Sequence, residues 1–388
     1  MPTHAGPNIF GEETLVFGYD LADTVNSYVG EPTTNLAVPT WSNWGVDASG
    51  YSTAGTRTIL SPYHVRIDDI SSNTRQSFAF YSGFNASTTY TFSVKFKKIA
   101  GTPTLRFQIY SYVSGNWTNQ TFPTTSQIGL TNKEGWQTAS YSYTTAAGAT
   151  GLYWYIQDGD DYTAYTHSFE LKEIQLEAKS HATPFTAGTR SATQGLLPLI
   201  GNSTIDLTNI SFDSNAQTVF DGTDDSMVVS NNSALKNNNT SIEFVIKYLD
   251  TPNGDIIQFG VGSGAYAQYY YRAYSGNSYW NWYPVGTGYG DITIPNAALP
   301  LNQYHHIVMT GNDQGYVQFY INGVVQTGAT RTSRTQPSNW TPADLTIGGF
   351  SWDGYSSSII PSVKIYNRVL TASEISRNFN AIKSRFNI

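Results

Sequence analysis

Hydrophobic and polar residues alternate with a period of two along most of this chain, and helical spacing surfaces only near the C-terminus. Tyr90, Phe92, Val94 and Phe96 alternate with Thr91, Ser93, Lys95 and Lys97, and Leu105, Phe107 and Ile109 follow beyond Gly101 and Pro103. That pattern predicts two adjacent strands, each with one buried face. Leu152, Trp154 and Ile156 predict another strand ahead of Asp158-Gly159. From Phe169 and Leu171 to Ile174 and Leu176 the alternation slips by one residue, as a β-bulge would cause. In the second half Ile242, Phe244, Ile246 and Tyr248 alternate, and Val317, Phe319 and Ile321 run into Asn322-Gly323. Asn-Gly tolerates positive φ at both centres of a two-residue hairpin, so Val324 and Val325 begin the return strand. Thr371 stands three residues before Glu374 in a capping box, and Ile375, Phe379 and Ile382 continue at helical spacing. The pattern predicts an all-β chain with one short C-terminal helix.

At 388 residues the chain has room for two or three domains. Residues 36–183 form one predicted unit, 184–195 a polar connector relieved only by Phe185, and 196–388 a second unit, with 1–35 as an N-terminal arm. Coiled-coil heptads and short fibre-type repeats are not seen.

Composition sharpens this picture. Aromatics reach 14% of the chain, with 28 Tyr and 9 Trp, while charged residues make up only 13%. This suits short strands and tight turns with flat, polar-tipped rings at surfaces. Without cysteine the units hold together by packing and hydrogen bonds alone. A net charge of −7 and no basic run argue against nucleic acid as a partner. No stretch approaches the length of an apolar membrane span, and residues 1–10 lack the pattern of a secretion signal, so membrane insertion is not expected.

Candidate chemistry concentrates in the second half. Tyr266, Tyr269, Tyr270, Tyr271, Tyr274, Tyr279, Trp280, Trp282 and Tyr283 form the densest aromatic stretch, broken by glycines. Ring faces stack on sugar C–H surfaces, and Gln268, Asn277 and Asn281 are placed to orient hydroxyls. A core or a subunit interface accounts for the same rings. Trp352, with Trp41, Trp44 and Trp117, adds further candidate rings. Asp221, Asp224 and Asp225 gather hard oxygen donors suited to calcium on one turn, or else serve as caps of an Asp-Gly turn; Asp158, Asp160 and Asp161 repeat the theme. His305 and His306, adjacent on a strand, point to opposite faces and cannot share one ion; one is expected packed and the other exposed. Glycoside hydrolysis needs two carboxylates about 5 to 9 Å apart, and Glu170 and Glu173 lack the alternate spacing that pairs them on one strand face. No phosphate loop, nucleophile elbow or zinc motif appears. An enzyme is not expected.

Two resemblances add to this reading. Gly135-Trp136, Leu152-Tyr153-Trp154 and the closing segment Ile174-Gln175-Leu176-Glu177-Ala178 through Ala182-Thr183-Pro184-Phe185 resemble a carbohydrate-binding-module-like jelly roll of bacteriophage tail and capsid-associated proteins. Phe220-Asp221-Gly222, Tyr304-His305-His306-Ile307-Val308, Phe319-Tyr320-Ile321-Asn322-Gly323 and Lys364 through Ile375 resemble a concanavalin A-like, laminin-G-type domain. Leu15-Val16-Phe17, Tyr19-Asp20 and Thr33-Thr34-Asn35 look like the opening of such a domain, which implies that the jelly roll is inserted and residues 11–35 supply a strand across it. The second resemblance also suggests that Arg368 and Glu374 pin the last helix. Together they imply two antiparallel jelly-roll β-sandwiches on a virion surface. The expected role is non-catalytic adhesion to host cell-surface polysaccharide, through a homo-oligomer among other virion proteins. The alternative is a structural or decoration protein making only protein contacts.

Overall fold

The computed structural model describes residues 14–37, 55–69, 75–80, 84–101, 105–131, 133–158, 167–230, 233–259, 269–274, 276–282, 289–327, 330–334, 344–350 and 354–388. Two compact units divide the chain, one made of residues 33–190 and the other of 1–32 with 191–388. Strands dominate both, and the α-helix among the described residues is Ala372–Phe386. No described helix is long and apolar enough to cross a membrane.

The unit spanning 33–190 packs a four-stranded sheet against a five-stranded one. The first has the strand order Arg75–Phe80, Gly151–Asp158, Leu105–Val113, Asn116–Thr121; the second has Gly55–Ser61, His64–Asp69, His167–Glu177, Thr89–Ala100, Gln137–Thr144. Their inward residues meet in one core, where Trp154 packs edge-on against Phe92 and Phe107 at 4.8 and 5.1 Å. The alternation slip is a bulge: the register on Thr89–Ala100 shifts between Lys172 and Gln175, with Glu173 at φ 53°. The closing segment is a polar latch. Fully buried Glu177 accepts hydrogen bonds from Thr183 N and Oγ1, Gln175 Nε2 and Thr33 Oγ1, at 2.7 to 2.9 Å. A buried carboxylate is tolerated only when its oxygens are so occupied, which explains why Gln175, Glu177 and Thr183 occur together.

In the other unit two eight-stranded sheets share one large apolar core. One sheet centres on Ser357–Tyr366, flanked on one edge by Thr240–Tyr248 and on the other by Leu15–Asp20 and, further along that edge, by Thr218–Asp221. The other runs Thr204–Asp206, Met227–Ser230, Leu345–Ile347, Gly254–Phe259, Tyr269–Tyr274, Asn277–Trp282, Tyr289–Pro295, Thr330–Arg334. Asn322 and Gly323, at φ 51° and 75°, turn the hairpin between Val317–Ile321 and Val324–Val325.

The C-terminal helix closes the far side of the first of these sheets. Thr371 caps it, accepting from Glu374 N, and Glu374 returns the bond to Thr371 N. Arg368 grips both Glu374 oxygens at 2.7 and 2.9 Å and holds that carboxyl down at about pKa 2. Arg385 pairs with Asp20 at 2.7 Å, which ties the helix to the strand nearest the N-terminus. Below the helix, Glu243 accepts from Tyr366 Oη and Asn378 Nδ2 and meets His306 Nε2 at 2.9 Å. The expectation that one histidine is exposed is corrected by this helix: it covers the outward side of Tyr304–Gly311, so His306 is as buried as His305. His305 instead meets Pro300 O at 2.9 Å.

Candidate functional site

Strand alternation sorts the aromatic stretch into two populations. Tyr269, Tyr271, Ala273, Ser278, Trp280 and Trp282 turn inward and are buried. Tyr270, Arg272 and Tyr274 of one strand, and Asn277, Tyr279 and Asn281 of the next, turn outward. Sequence reasoning placed Trp280 and Trp282 among the contact rings. This is corrected by their position, 0% exposed, stacked on each other at 6.3 Å with their Nε1 groups donating to Thr310 O and Asn312 O. Of the other expected contacts, Asn277, Tyr279 and Asn281 come together on the outward face, while Tyr283 and Trp352 lie outside the described residues. Gln268, Tyr266, Trp41 and Trp44 also lie outside them.

Antiparallel register builds the outward face in rows. Thr346, Gln258, Tyr270 and Asn281 form one row across four strands. Asp255, Arg272, Tyr279 and Thr293 form the next. The Arg272 guanidinium lies 5.4 Å from the Tyr270 ring and 5.5 Å from that of Tyr279, so the cation and two half-buried rings form one cluster. On either side of Tyr270 stand two amides sunk into the face: Gln258 is 8% exposed and Asn281 6%. Among the described residues neither Gln258 Oε1 nor Asn281 Oδ1 meets a hydrogen-bond donor. A buried carbonyl oxygen left without a donor costs roughly 1–3 kcal/mol. These acceptors are therefore suited to hydroxyl donors from outside the chain. Gln258, Tyr270 and Arg272 were missed as a group by sequence reasoning; the signal that finds them is cross-strand register, which depends on how the strands pair.

The acidic turn lies at another place in the same domain. Asp221, Asp224 and Asp225 bring one carboxylate oxygen each to within 4.8 Å of one another. Part of their capacity is already committed, since Asp221 Oδ1 accepts from Thr223 N and Asp225 Oδ2 from Asp221 N. Burial pushes the Asp225 carboxyl up, and its acidic neighbours add to this against the backbone hydrogen bond. Gly222, at φ 80°, makes the turn beside Ser357, where a Cβ would come within 3.1 Å. The donor set of hard oxygens fits a calcium-type cation. In the first unit, Asp160 and Asp161 and the side chain of Asp158 lie outside the described residues.

Residues 221–376 match the model of the concanavalin A-like lectin/glucanases superfamily. The matched residues lie in the two-sheet unit and carry a concanavalin A-like β fold. No curated protein matches the chain. Among solved structures, the Trypanosoma rangeli sialidase in complex with 2,3-difluorosialic acid aligns with a TM-score of 0.37 and 17% identity, over 49% of this chain and 31% of that one. The botulinum neurotoxin serotype D ligand-binding domain in complex with N-acetylneuraminic acid aligns with a TM-score of 0.37 and 16% identity, over 49% of each chain. The chain thus spans 31% to 49% of the length of these structures.

Proposed function

We propose that this chain is a non-catalytic glycan-binding protein whose concanavalin A-like domain receives saccharide on the outward face around Tyr270, Arg272 and Tyr279. The observation that carries this reading is the pair of buried, unpaired amide oxygens, Gln258 Oε1 and Asn281 Oδ1, set beside half-buried rings. Sugar hydroxyls donate to such acceptors while sugar C–H faces lie on the rings. Binding is favoured over hydrolysis because the described groups of this face are mainly amides, rings and one guanidinium, and its carboxylate Asp255 is buried.

In its finer form the reading is adhesion of a virion to host polysaccharide, with several copies of weak sites acting together. The sequence resemblance of the first half to a jelly roll of bacteriophage tail and capsid-associated proteins supports that form. A structural or decoration role is the second reading, and what favours it is that much of the aromatic stretch, Trp280 and Trp282 included, serves as core.

A glycan array probed with the full chain, with and without chelator, tests the first reading. Tyr279→Ala is expected to weaken the captured glycan about tenfold, the equivalent of one lost ring contact. Asn281→Leu is expected to weaken binding to a similar degree and yet to raise the stability of the domain by about 1 kcal/mol, because an unpaired buried oxygen is removed. Absence of any captured glycan, together with unchanged stability in Asn281→Leu, defeats the reading.

Calcium at Asp221, Asp224 and Asp225 is a separable part of the proposal. Added calcium is expected to raise the melting temperature of this domain, by the equivalent of about 2.7 kcal/mol at a hundredfold excess over Kd. Asp224→Asn should abolish that rise and leave the metal-free melt unchanged, because Asp224 is exposed. Identical melts in calcium and in chelator reduce the cluster to a capped turn.

A further inference from the structure

The dipeptide Asn-Gly occurs twice in the chain, at Asn253-Gly254 and Asn322-Gly323, and the fold holds the two differently. Asn-Gly is open to one spontaneous reaction, in which the backbone nitrogen of the glycine attacks the side-chain carbonyl carbon of the asparagine. Without a Cβ the glycine neither shields that nitrogen nor resists the backbone rotation that the attack needs. What holds the asparagine amide then decides whether the reaction proceeds.

At Asn322 the amide is held. Its Oδ1 accepts from His306 N at 2.9 Å and its own N donates to His306 O at 2.8 Å. The φ values of 51° and 75° fix Asn322 and Gly323 in the hairpin turn, and the Phe379 ring backs Gly323 closely enough that a Cβ there would approach it to 3.1 Å. Turning the Asn322 amide toward Gly323 N breaks the bond to His306.

Asn253 has the opposite setting. It ends the connection 249–253 between the strands Thr240–Tyr248 and Gly254–Phe259, and its side chain is exposed. The residue before it is fixed: Pro252 is buried, and its O accepts from Asn296 Nδ2 at 3.3 Å. The residue after it must be glycine. Gly254 has a φ of 81°, and its backbone packs so closely on Gly354 and Tyr355 that a Cβ would stand 2.6 Å from Tyr355 N. The fold itself therefore demands the residue that opens Asn253 to attack.

We infer that Asn253 is a self-modification site, converted without an enzyme to aspartate and isoaspartate. Gly254 N bonds to Asn253 Cγ, the Cγ–Nδ2 bond breaks, and ammonia leaves with the proton from Gly254 N, which closes a succinimide ring. Water then opens the ring in one of two ways. Cleaving the new N–Cγ bond gives aspartate, which adds a negative charge at an exposed position. Cleaving the original peptide bond gives isoaspartate, whose main chain runs through Cβ and Cγ and is one atom longer. Gly254 is clamped against Tyr355, so the added atom strains the start of Gly254–Phe259, the strand that carries Asp255 and Gln258. Lengthening the chain, and not the new charge, is what weakens the domain.

The test ages the full chain in mildly alkaline and in mildly acidic buffer and maps its peptides by mass. The peptide carrying Asn253 should show the mass change of NH2 to OH, sooner in the alkaline sample because the attacking nitrogen must shed its proton. It should also accept a methyl group from a protein isoaspartyl methyltransferase. The peptide carrying Asn322 should lag about tenfold, since a hydrogen bond must break before its amide can turn. The melting temperature of the aged chain should fall, while Asn253→Ala aged beside it should keep its own. Freshly prepared Asn253→Asp, which adds the charge without lengthening the chain, should melt with the fresh parent. Both variants change an exposed side chain, and their fresh melts report that they are folded. None of these measurements involves a saccharide, so their outcome is separate from that of the proposed function. Unchanged mass at Asn253 after alkaline ageing overturns the inference. So does conversion at Asn322 as fast as at Asn253, aspartate formed with no isoaspartate label, or an Asn253→Ala chain whose melt falls as the parent's does.

Discussion

Trp280→Ala is expected to destabilise the concanavalin A-like domain by about 3–5 kcal/mol, the cost of emptying a large aromatic site in a packed core. The ring is wholly buried, packs 5.9 Å from Tyr269 and 6.3 Å from Trp282, and donates from Nε1 to Thr310 O at 3.3 Å. Alanine removes the contact area, leaves a cavity and loses the hydrogen bond to Thr310 O, so transfer, cavity and hydrogen-bond losses act in one direction. The site has little freedom to collapse: Gly311 lies against the neighbouring indole so closely that a Cβ there would stand 2.5 Å from Trp282. Denaturant unfolding read on the two units separately measures this, since a chain of two units need not unfold in one step. The midpoint of the domain carrying Trp280 should fall and that of the other should not. If Trp280→Ala leaves the midpoint unchanged and removes glycan binding instead, the ring belongs to the surface and the assignment of faces is reversed.

The second large effect is Glu243→Ala. Glu243 joins three elements beneath the C-terminal helix, through His306, Tyr366 and Asn378. Breaking a buried ionic pair by removing one partner typically costs 3–5 kcal/mol, because the remaining groups stay buried without their acceptor. Loss of protection from hydrogen exchange along Ala372–Phe386 should accompany the drop. The same site gives acid sensitivity a sign. Burial pushes the Glu243 carboxyl up, but the hydrogen bond and charge of His306, with Lys364 and Tyr366 Oη, outweigh it and hold the pKa at about 2. A folded-state pKa below the unfolded value near 4.3 means stability that is fully present above the unfolded pKa and lost as pH falls toward the folded one. The loss amounts to about 3 kcal/mol between pH 5 and 2, and Glu243→Gln should flatten the acid limb of stability over that window. An unaltered acid limb in Glu243→Gln would mean that other carboxylates carry it.

Much of the fold was legible in the sequence because burial on a sheet follows a period of two. Phe92 and Val94, Phe107 and Ile109, and Phe244 and Ile246 read correctly as inward residues, and Asn322-Gly323 and Thr371 with Glu374 read correctly as turn and cap. The rule also holds for Trp280 and Trp282, but surface contact and core packing are alternatives for the whole aromatic run until strand parity splits it between them. Polar members of a strand misled in the opposite direction. Thr91 alternates with core residues yet is buried, because its hydroxyl bonds Lys179 O under the closing latch. His306 is likewise covered by a helix from far along the chain. Rows such as Gln258, Tyr270 and Asn281 depend on which strands become neighbours and in what register. No spacing within one strand encodes that.

A crystal structure of the full chain with a saccharide captured on the glycan array tests the central claim most directly. The account predicts sugar density on the outward face, against the Tyr270 and Tyr279 rings, with hydroxyls within hydrogen-bonding distance of Gln258 Oε1 and Asn281 Oδ1. Sugar bound elsewhere on this domain while both amide oxygens stay unpaired, or a neighbouring copy of the chain filling that face, would contradict it.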